Sequence, residues 1–249
     1  MTTDPSTPFA RPALPAQVTQ GRIVAIGRRL APALVDGVGE ALLAAGIGCF
    51  EITLNEPEAD ALASIAALAR RFAGRLVIGA GTVLSIPAAQ RALDAGATFL
   101  VSPHTDEALV AWAAAHGVPA FPGALTPTEV VRAWNAGAAG VKLFPASAVG
   151  PSFIRELRGP LPGIPIVPTG GISVDNVGDF LRAGAVAVGL GSWLIGDGAF
   201  DGVRARGLQV RAAIDAATAP DAPGASAAPG AAAGPGASAA PGASAGPGR

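Results

Sequence analysis

The sequence predicts an α/β fold closed as a (β/α)8 TIM barrel, and three observations carry that expectation. From Arg22 to about residue 217 a short apolar run followed by an amphipathic run recurs, with strand starts near Arg22, Ile47, Leu76, Thr98, Val118, Gly140, Ile164 and Val186, 20 to 29 residues apart. Several helices close on the same punctuation, a small or polar residue and then glycine: Ala45-Gly46, Ala95-Gly96, His116-Gly117, Ala136-Gly137 and Ala183-Gly184. Glycine just past a helix adopts the left-handed turn that ends it, so each pair marks a helix stop before the next strand. Eight such units either close as a barrel or open as a doubly wound sheet, and the lack of a dinucleotide-binding glycine fingerprint favours the barrel.

Taken in order, residues 1–20 are rich in Pro and Thr without a sustained period and read as an N-terminal arm, with one short helical turn around Ala13 to Gln20. The barrel occupies residues 21–218. Its helices are legible as alanine- and leucine-rich runs with charges on one side, as in Glu58 to Phe72, Thr105 to His116, Thr126 to Asn135 and Ser173 to Arg182. Thr105, Thr126 and Ser173 are read as N-caps, since a hydroxyl there accepts from an otherwise unpaired amide of the first turn. Residues 219–249 collapse to Pro, Gly, Ala and Ser with a recurring Pro-Gly-Ala-Ser-Ala, a composition without the large apolar residues that folding needs, and are expected to form a disordered tail.

Composition closes off several functions. The formal net charge is −1 and the arginines are scattered, so there is no basic stripe for nucleic acid. The N-terminus has Asp4 and several prolines in place of a basic and then apolar leader, and the apolar piece from Ala183 to Gly196 is too short and too glycine-rich to span a bilayer, so no membrane role and a cytoplasmic location are expected. The single Cys49 cannot form an internal disulfide and reads as a small buried hydrophobe. With two histidines and one cysteine no zinc-like spacing exists, and no metal is expected.

In such a barrel the active site is assembled at the C-terminal ends of the strands. Lys142, in Gly140-Val141-Lys142-Leu143-Phe144-Pro145 on the sixth strand, is the only lysine in 249 residues. Apolar surroundings disfavour the ammonium and leave more of the free amine that attacks a carbonyl, which makes Lys142 a candidate Schiff-base former; the alternative is a structural lysine that snorkels or pairs with a carboxylate. Glu51 ends the apolar second strand, either as a general acid/base or as the ion-pair partner of Arg28 or Lys142. Gly170-Gly171 before Ile172-Ser173, and Gly191-Ser192 on the next strand, form either a phosphate cradle of backbone N–H groups or merely tight turns. His104 at the mouth reads as a solvated loop histidine and His116 as structural.

Together Phe50-Glu51-Ile52-Thr53-Leu54, Gly79-Ala80-Gly81-Thr82-Val83-Leu84, Val101-Ser102-Pro103, Pro122-Gly123, Val141-Lys142-Leu143-Phe144-Pro145-Ala146, Pro168-Thr169-Gly170-Gly171-Ile172 and Gly191-Ser192-Trp193 resemble the 2-keto-3-deoxy-6-phosphogluconate and phosphogalactonate aldolases, from about Arg22 to Leu194. The resemblance implies a cofactor-free class I aldolase, a homotrimer, with Lys142 as Schiff-base lysine, Glu51 as acid/base, phosphate held by Gly170, Gly171, Gly191 and Ser192, and Thr82, Pro103, Phe144 and Thr169 lining the pocket. The phosphogluconate type usually carries an arginine where this chain has Asn55. Leu54-Asn55-Glu56-Pro57 is similar to the phosphogalactonate type, in which an arginine at the position of Arg28 holds the pyruvyl carboxylate, whereas Thr169 is similar to the phosphogluconate type.

The implied reaction cleaves a phosphorylated keto-deoxy sugar acid to pyruvate and glyceraldehyde 3-phosphate, with 4-hydroxy-2-oxoglutarate as a possible second substrate. Other phosphate-binding barrels, isomerases, epimerases or thiamine-phosphate synthases, are an alternative that leaves the sole lysine beside Glu51 unexplained. A non-catalytic phosphosugar-binding barrel is another, and it predicts binding without turnover.

Overall fold

The apolar runs become strands because each alternates two sets of large side chains that are buried on opposite faces. In the computed structural model, which describes residues 11–54 and 57–219, the strands are β1 (Ile23–Gly27), β2 (Cys49–Thr53), β3 (Val77–Gly81), β4 (Phe99–Val101), β5 (Ala120–Phe121), β6 (Gly123–Ala124), β7 (Val141–Leu143), β8 (Ile166–Pro168) and β9 (Val188–Leu190). Asn55 and Glu56, the first ten residues of the arm and the tail from Pro220 lie outside the described residues, and with them the expected disorder of the tail. The helices are α1 (Ala16–Gly21), α2 (Val35–Ala44), α3 (Glu58–Arg71), α4 (Ile86–Asp94), α5 (Glu107–Ala115), α6 (Pro127–Asn135), α7 (Gly150–Arg158), α8 (Val177–Arg182), α9 (Ser192–Ile195) and α10 (Phe200–Thr218).

The strands pair in parallel in two curled sheets, ordered β5-β4-β3-β2-β1-β9 and β6-β7-β8. The expected fifth strand is thus two pieces. Proline has no N–H to give to a ladder, so at Pro122 the pairing changes sides: β5 lies on β4, β6 lies on β7, and the Pro122 carbonyl accepts from the Lys142 amide at 2.9 Å. The other seam, between β8 and β9, carries a parallel bridge from Thr169 to Gly189.

Burial on both faces divides the core in two. Ile23, Ala25, Phe50, Ile52, Ile78, Leu100, Val141, Leu143, Ile166, Val188 and Leu190 face the surrounding helices in one cluster. The alternate residues Val24, Cys49, Phe99, Val101, Phe121 and Val167 pack in a second cluster inside the curl, joined there by Val18 of α1 and by Leu14. The arm is therefore built into the fold. Leu14 approaches Gly140 and Gln17 approaches Gly48, at the N-terminal ends of β7 and β2, while the Arg11 guanidinium stacks 3.4 Å from the Trp134 ring and donates to Ala138 O.

Of the expected N-caps only Thr126 is one. It forms a capping box with Glu129, whose carboxylate accepts from Leu125 and Thr126 amides and titrates below the usual range for that reason. At α5 the cap is Asp106, which accepts from Ala108 and Leu109, and Thr105 instead donates to Gly123 O at 2.9 Å. At α8 the helix begins only at Val177; the Ser173 hydroxyl turns to Asp175, and Asn176 accepts from the Ser173 amide.

Candidate active site

The register sets the depth of each side chain inside the curl. Ile26 on β1 is opposite Glu51 on β2, Glu51 is opposite Gly79 on β3, and Gly79 is opposite Phe99 on β4; on the other sheet Gly123, Lys142 and Val167 are aligned. Side chains that alternate along each strand place Glu51 and Lys142 inward, and both enter one narrow recess with Val24, Ile26, Phe99, Val101, Phe121, Val167, Thr169 and Gly189. Only 2% of Glu51 and 6% of Lys142 is exposed. The recess is an apolar floor holding two ionisable groups.

Burial raises the affinity of Glu51 for its proton, and the nearby charges of Lys142 and then Arg28 oppose that effect without cancelling it. Its Oε1 accepts no hydrogen bond from the described residues. A carboxyl so placed keeps its proton to higher pH than an ordinary carboxylate and can exchange it with a reacting group. Lys142 Nζ lies 5.1 Å from the centroid of the Phe144 ring, within cation–π reach. Cys49, two residues before Glu51 on the same face, is fully buried, and desolvation first and the Glu51 charge second keep its thiol protonated.

Of the remaining residues singled out in the sequence, Thr169 lines this recess and the others follow the C-terminal ends of the strands. Arg28 follows β1 on the exposed rim, close enough to act on the Glu51 charge, and Thr53 steadies that strand end by donating to Gly27 O at 3.3 Å. Thr82 follows β3 with a left-handed backbone, φ 58°, a strained conformation for a β-branched residue. Pro103 packs its carbonyl over Gly123, where a Cβ would lie 2.2 Å away. Thr169 is 5% exposed with its hydroxyl over Gly189. Asn55 lies outside the described residues.

Gly170 and Gly171 take φ 93° and 76°, and the turn is tied to the segment after β7 by Ser147 N donating to Gly170 O and to the α8 entry by Asn176 donating to Gly171 O. Gly191 differs. It has no positive φ, and the nearest atoms to a Cβ there are 3.9 Å away on Ile26, so it leaves room beside the exposed Ser192 at the start of α9.

His104 is exposed, and His116 ends α5 with Nδ1 2.7 Å from Trp112 O and its ring against the Trp112 ring. Among the described residues no three His, Cys, Asp or Glu side chains gather as a metal site would require, and no helix is long and apolar enough to cross a membrane. Sequence reasoning missed the floor of the recess, Phe99, Val101 and Phe121, and the part played by Gly79, Gly81 and Gly189. Glycine at alternate positions of a strand was the available signal.

Comparison with known proteins bears on this arrangement. The family described as "Aldolase: KDPG and KHG aldolase" matches residues 15–204. A probable 2-dehydro-3-deoxy-6-phosphogalactonate aldolase of Rhizobium meliloti is 40% identical over 205 residues, 82% of this chain and 96% of that protein. Among solved structures, a native KDPGal structure superposes with a TM-score of 0.74 at 31% identity over 78% of this chain and 95% of the other. A KDPG aldolase from Legionella pneumophila, with pyruvate captured as a covalent carbinolamine intermediate, gives 0.68 at 26% identity over 80% and 95%.

Proposed function

The chain belongs to the KDPG and KHG aldolase family, and on that premise we propose that it is a class I aldolase in which Lys142 forms the Schiff base and Glu51 moves the proton. The substrate is a 2-keto-3-deoxy-6-phospho sugar acid, the gluconate or its galactonate epimer, and the products are pyruvate and glyceraldehyde 3-phosphate. The observation that carries the reading is the sharing of one apolar recess by a nine-tenths-buried lysine and a nine-tenths-buried carboxyl on strands from opposite sheets.

The steps follow from these groups. Lys142 Nζ attacks the C2 ketone, and loss of water gives a protonated imine. Glu51 takes the proton of the C4 hydroxyl, the C3–C4 electron pair flows into the imine, and the aldehyde leaves. Glu51 returns its proton to C3 of the enamine, and water releases pyruvate from the lysine. A carboxyl whose proton affinity is raised by burial suits both the uptake and the return. Arg28 on the rim is the cation for the pyruvyl carboxylate; Thr82, Pro103, Phe144 and Thr169 line the pocket. Gly170, Gly171, Gly191 and Ser192 receive the phosphate on backbone N–H groups and a hydroxyl. The room left at Gly191 supports that assignment.

The rest of the proposal is the frame. Residues 21–218 form one closed (β/α)8 barrel, with 120–124 as a fifth strand interrupted at Pro122, residues 1–20 as its arm and 219–249 as its tail; the protein is a homotrimer in the cytoplasm. Sedimentation tests the trimer, and relative kcat/KM on the two epimers and on 4-hydroxy-2-oxoglutarate orders the substrates. For the chemistry, borohydride reduction in the presence of pyruvate is expected to add one pyruvate-derived mass to the peptide containing Lys142. No adduct, or one on the α-amine of Met1 alone, overturns the assignment.

A further inference from the structure

We infer that Gly81 is a positioning residue for Glu51: the side chain that residue 81 lacks is the space in which the carboxylate stands. The inference deepens the acid/base reading of Glu51 given above and rests on it. In the ladder Gly79 is opposite Glu51 and Gly81 is opposite Thr53, so the Glu51 side chain leans one pleat toward the C-terminal ends of the strands, over its neighbour strand. A Cβ on residue 81 would lie 1.8 Å from Oε1, 2.5 Å from Cδ and 2.8 Å from Cγ of Glu51.

Nothing in the backbone asks for glycine there. Gly170 and Gly171 need positive φ, but Gly81 is not among the positive-φ glycines and sits in a regular parallel strand, where a side chain is ordinarily favoured. Gly79 marks the layer below, since a Cβ on it would enter the Phe99 ring at 2.2 Å. Strand β3 is thus notched twice, once for the aromatic floor and once for the carboxyl above it. The two notches have different consequences. Phe99 is locked in the inner core, whereas the Glu51 carboxyl is the far end of a flexible chain and can yield. An alanine at 81 therefore fits the fold by driving the carboxyl aside by at least about 1 Å, since 3.0 Å is the shortest separation that carbon tolerates. A misplacement of that order at a proton-transferring group costs on the order of 10²-fold in turnover.

The experiment compares Gly81→Ala, Glu51→Gln and the double variant in kcat, melting temperature and borohydride trapping with pyruvate. Gly81→Ala is expected to keep its melting temperature and its Lys142 adduct, to lose on the order of 10²-fold in kcat, and to add nothing to the loss in Glu51→Gln, because both act through one group. An unchanged kcat in Gly81→Ala beside an impaired Glu51→Gln overturns the positioning role and leaves the acid/base reading standing. An active Glu51→Gln overturns that reading first. If Gly81→Ala does not fold, Gly81→Ala with Glu51→Ala must fold, since the obstructing carboxyl is gone; failure of that double variant also overturns the inference.

Discussion

Replacing Glu51 by glutamine separates a chemical role from a structural one, because the amide keeps the shape and loses the transferable proton. Glu51 is buried with an Oε1 that has no hydrogen-bond partner among the described residues, so the ionised form bears its desolvation with Lys142 and Arg28 only partly compensating. Loss of general acid/base catalysis removes roughly 10²- to 10⁴-fold from kcat, or about 2.7 to 5.4 kcal/mol of barrier at 1.36 kcal/mol per decade. Stability should move the other way. A carboxyl whose folded proton affinity is raised contributes stability that is fully present below its unfolded pKa and is lost as pH rises through the folded one. The variant has no such titration, so its melting temperature relative to the parent is expected to climb as pH rises from the ordinary carboxylate range. Pyruvate release gives the rate, and thermal melts at pH 4.5, 6 and 8 give the stability. Near-parental turnover with a melting temperature that falls at pH 8 would refute the reasoning and make Glu51 an ion-pair partner of Lys142.

Three further substitutions test other parts of the site. Lys142→Arg keeps the charge but cannot attack a carbonyl, so it should fold, show no turnover and give no borohydride adduct at residue 142; residual imine-dependent activity would contradict it. Arg28→Ala should weaken pyruvate binding about tenfold or more, as a lost charge-assisted contact of about 1.5 to 3 kcal/mol implies, while Arg29→Ala on the same exposed turn leaves affinity unchanged; the reverse pattern would shift the role to Arg29. Thr82→Gly relieves about 1 to 3 kcal/mol of left-handed strain against up to about 1 kcal/mol of glycine entropy, so the melting temperature should hold or rise while kcat/KM falls. A clear drop in melting temperature would mean that Thr82 stabilises the turn.

The features legible in the sequence are those that repeat along the chain. The glycines named as helix stops, Gly46, Gly96, Gly117, Gly137 and Gly184, all have φ between 68° and 106°. The strands begin one to two residues after their expected starts, and at Ile47, Leu76, Val118 and Ile164 the amide of the expected start still bonds back to the preceding helix or turn. The caps were less legible where two candidates adjoined. Thr105 and Asp106 both qualify chemically, and the choice was made by Gly123 O, a partner 18 residues away. The split at Pro122 was visible as a proline, but which neighbour each half pairs with is a property of the curl. Depth was illegible for the same reason. Periodicity assigns Glu51 and Lys142 to the inner face, yet that Gly81 rather than Gly79 accommodates the carboxyl depends on how a side chain leans across to the next strand. The Pro-rich arm has no period at all, and its place under the inner cluster follows from two side chains, Leu14 and Val18.

That seat of Leu14 and Val18 beneath the inner cluster fills the N-terminal end of the interior with side chains. On the proposed reaction, substrate, aldehyde, pyruvate and the water that frees it then pass by the opposite end, at the C-terminal strand ends, and traffic there must take turns. With Lys142 as the proposed Schiff-base lysine, the fragment tethered to it is the deeper passenger, so in cleavage the aldehyde is expected to depart first and pyruvate last. Run in the direction of synthesis, the same corridor demands that pyruvate be aboard before the aldehyde arrives, and an aldehyde present in excess becomes an obstruction at the door.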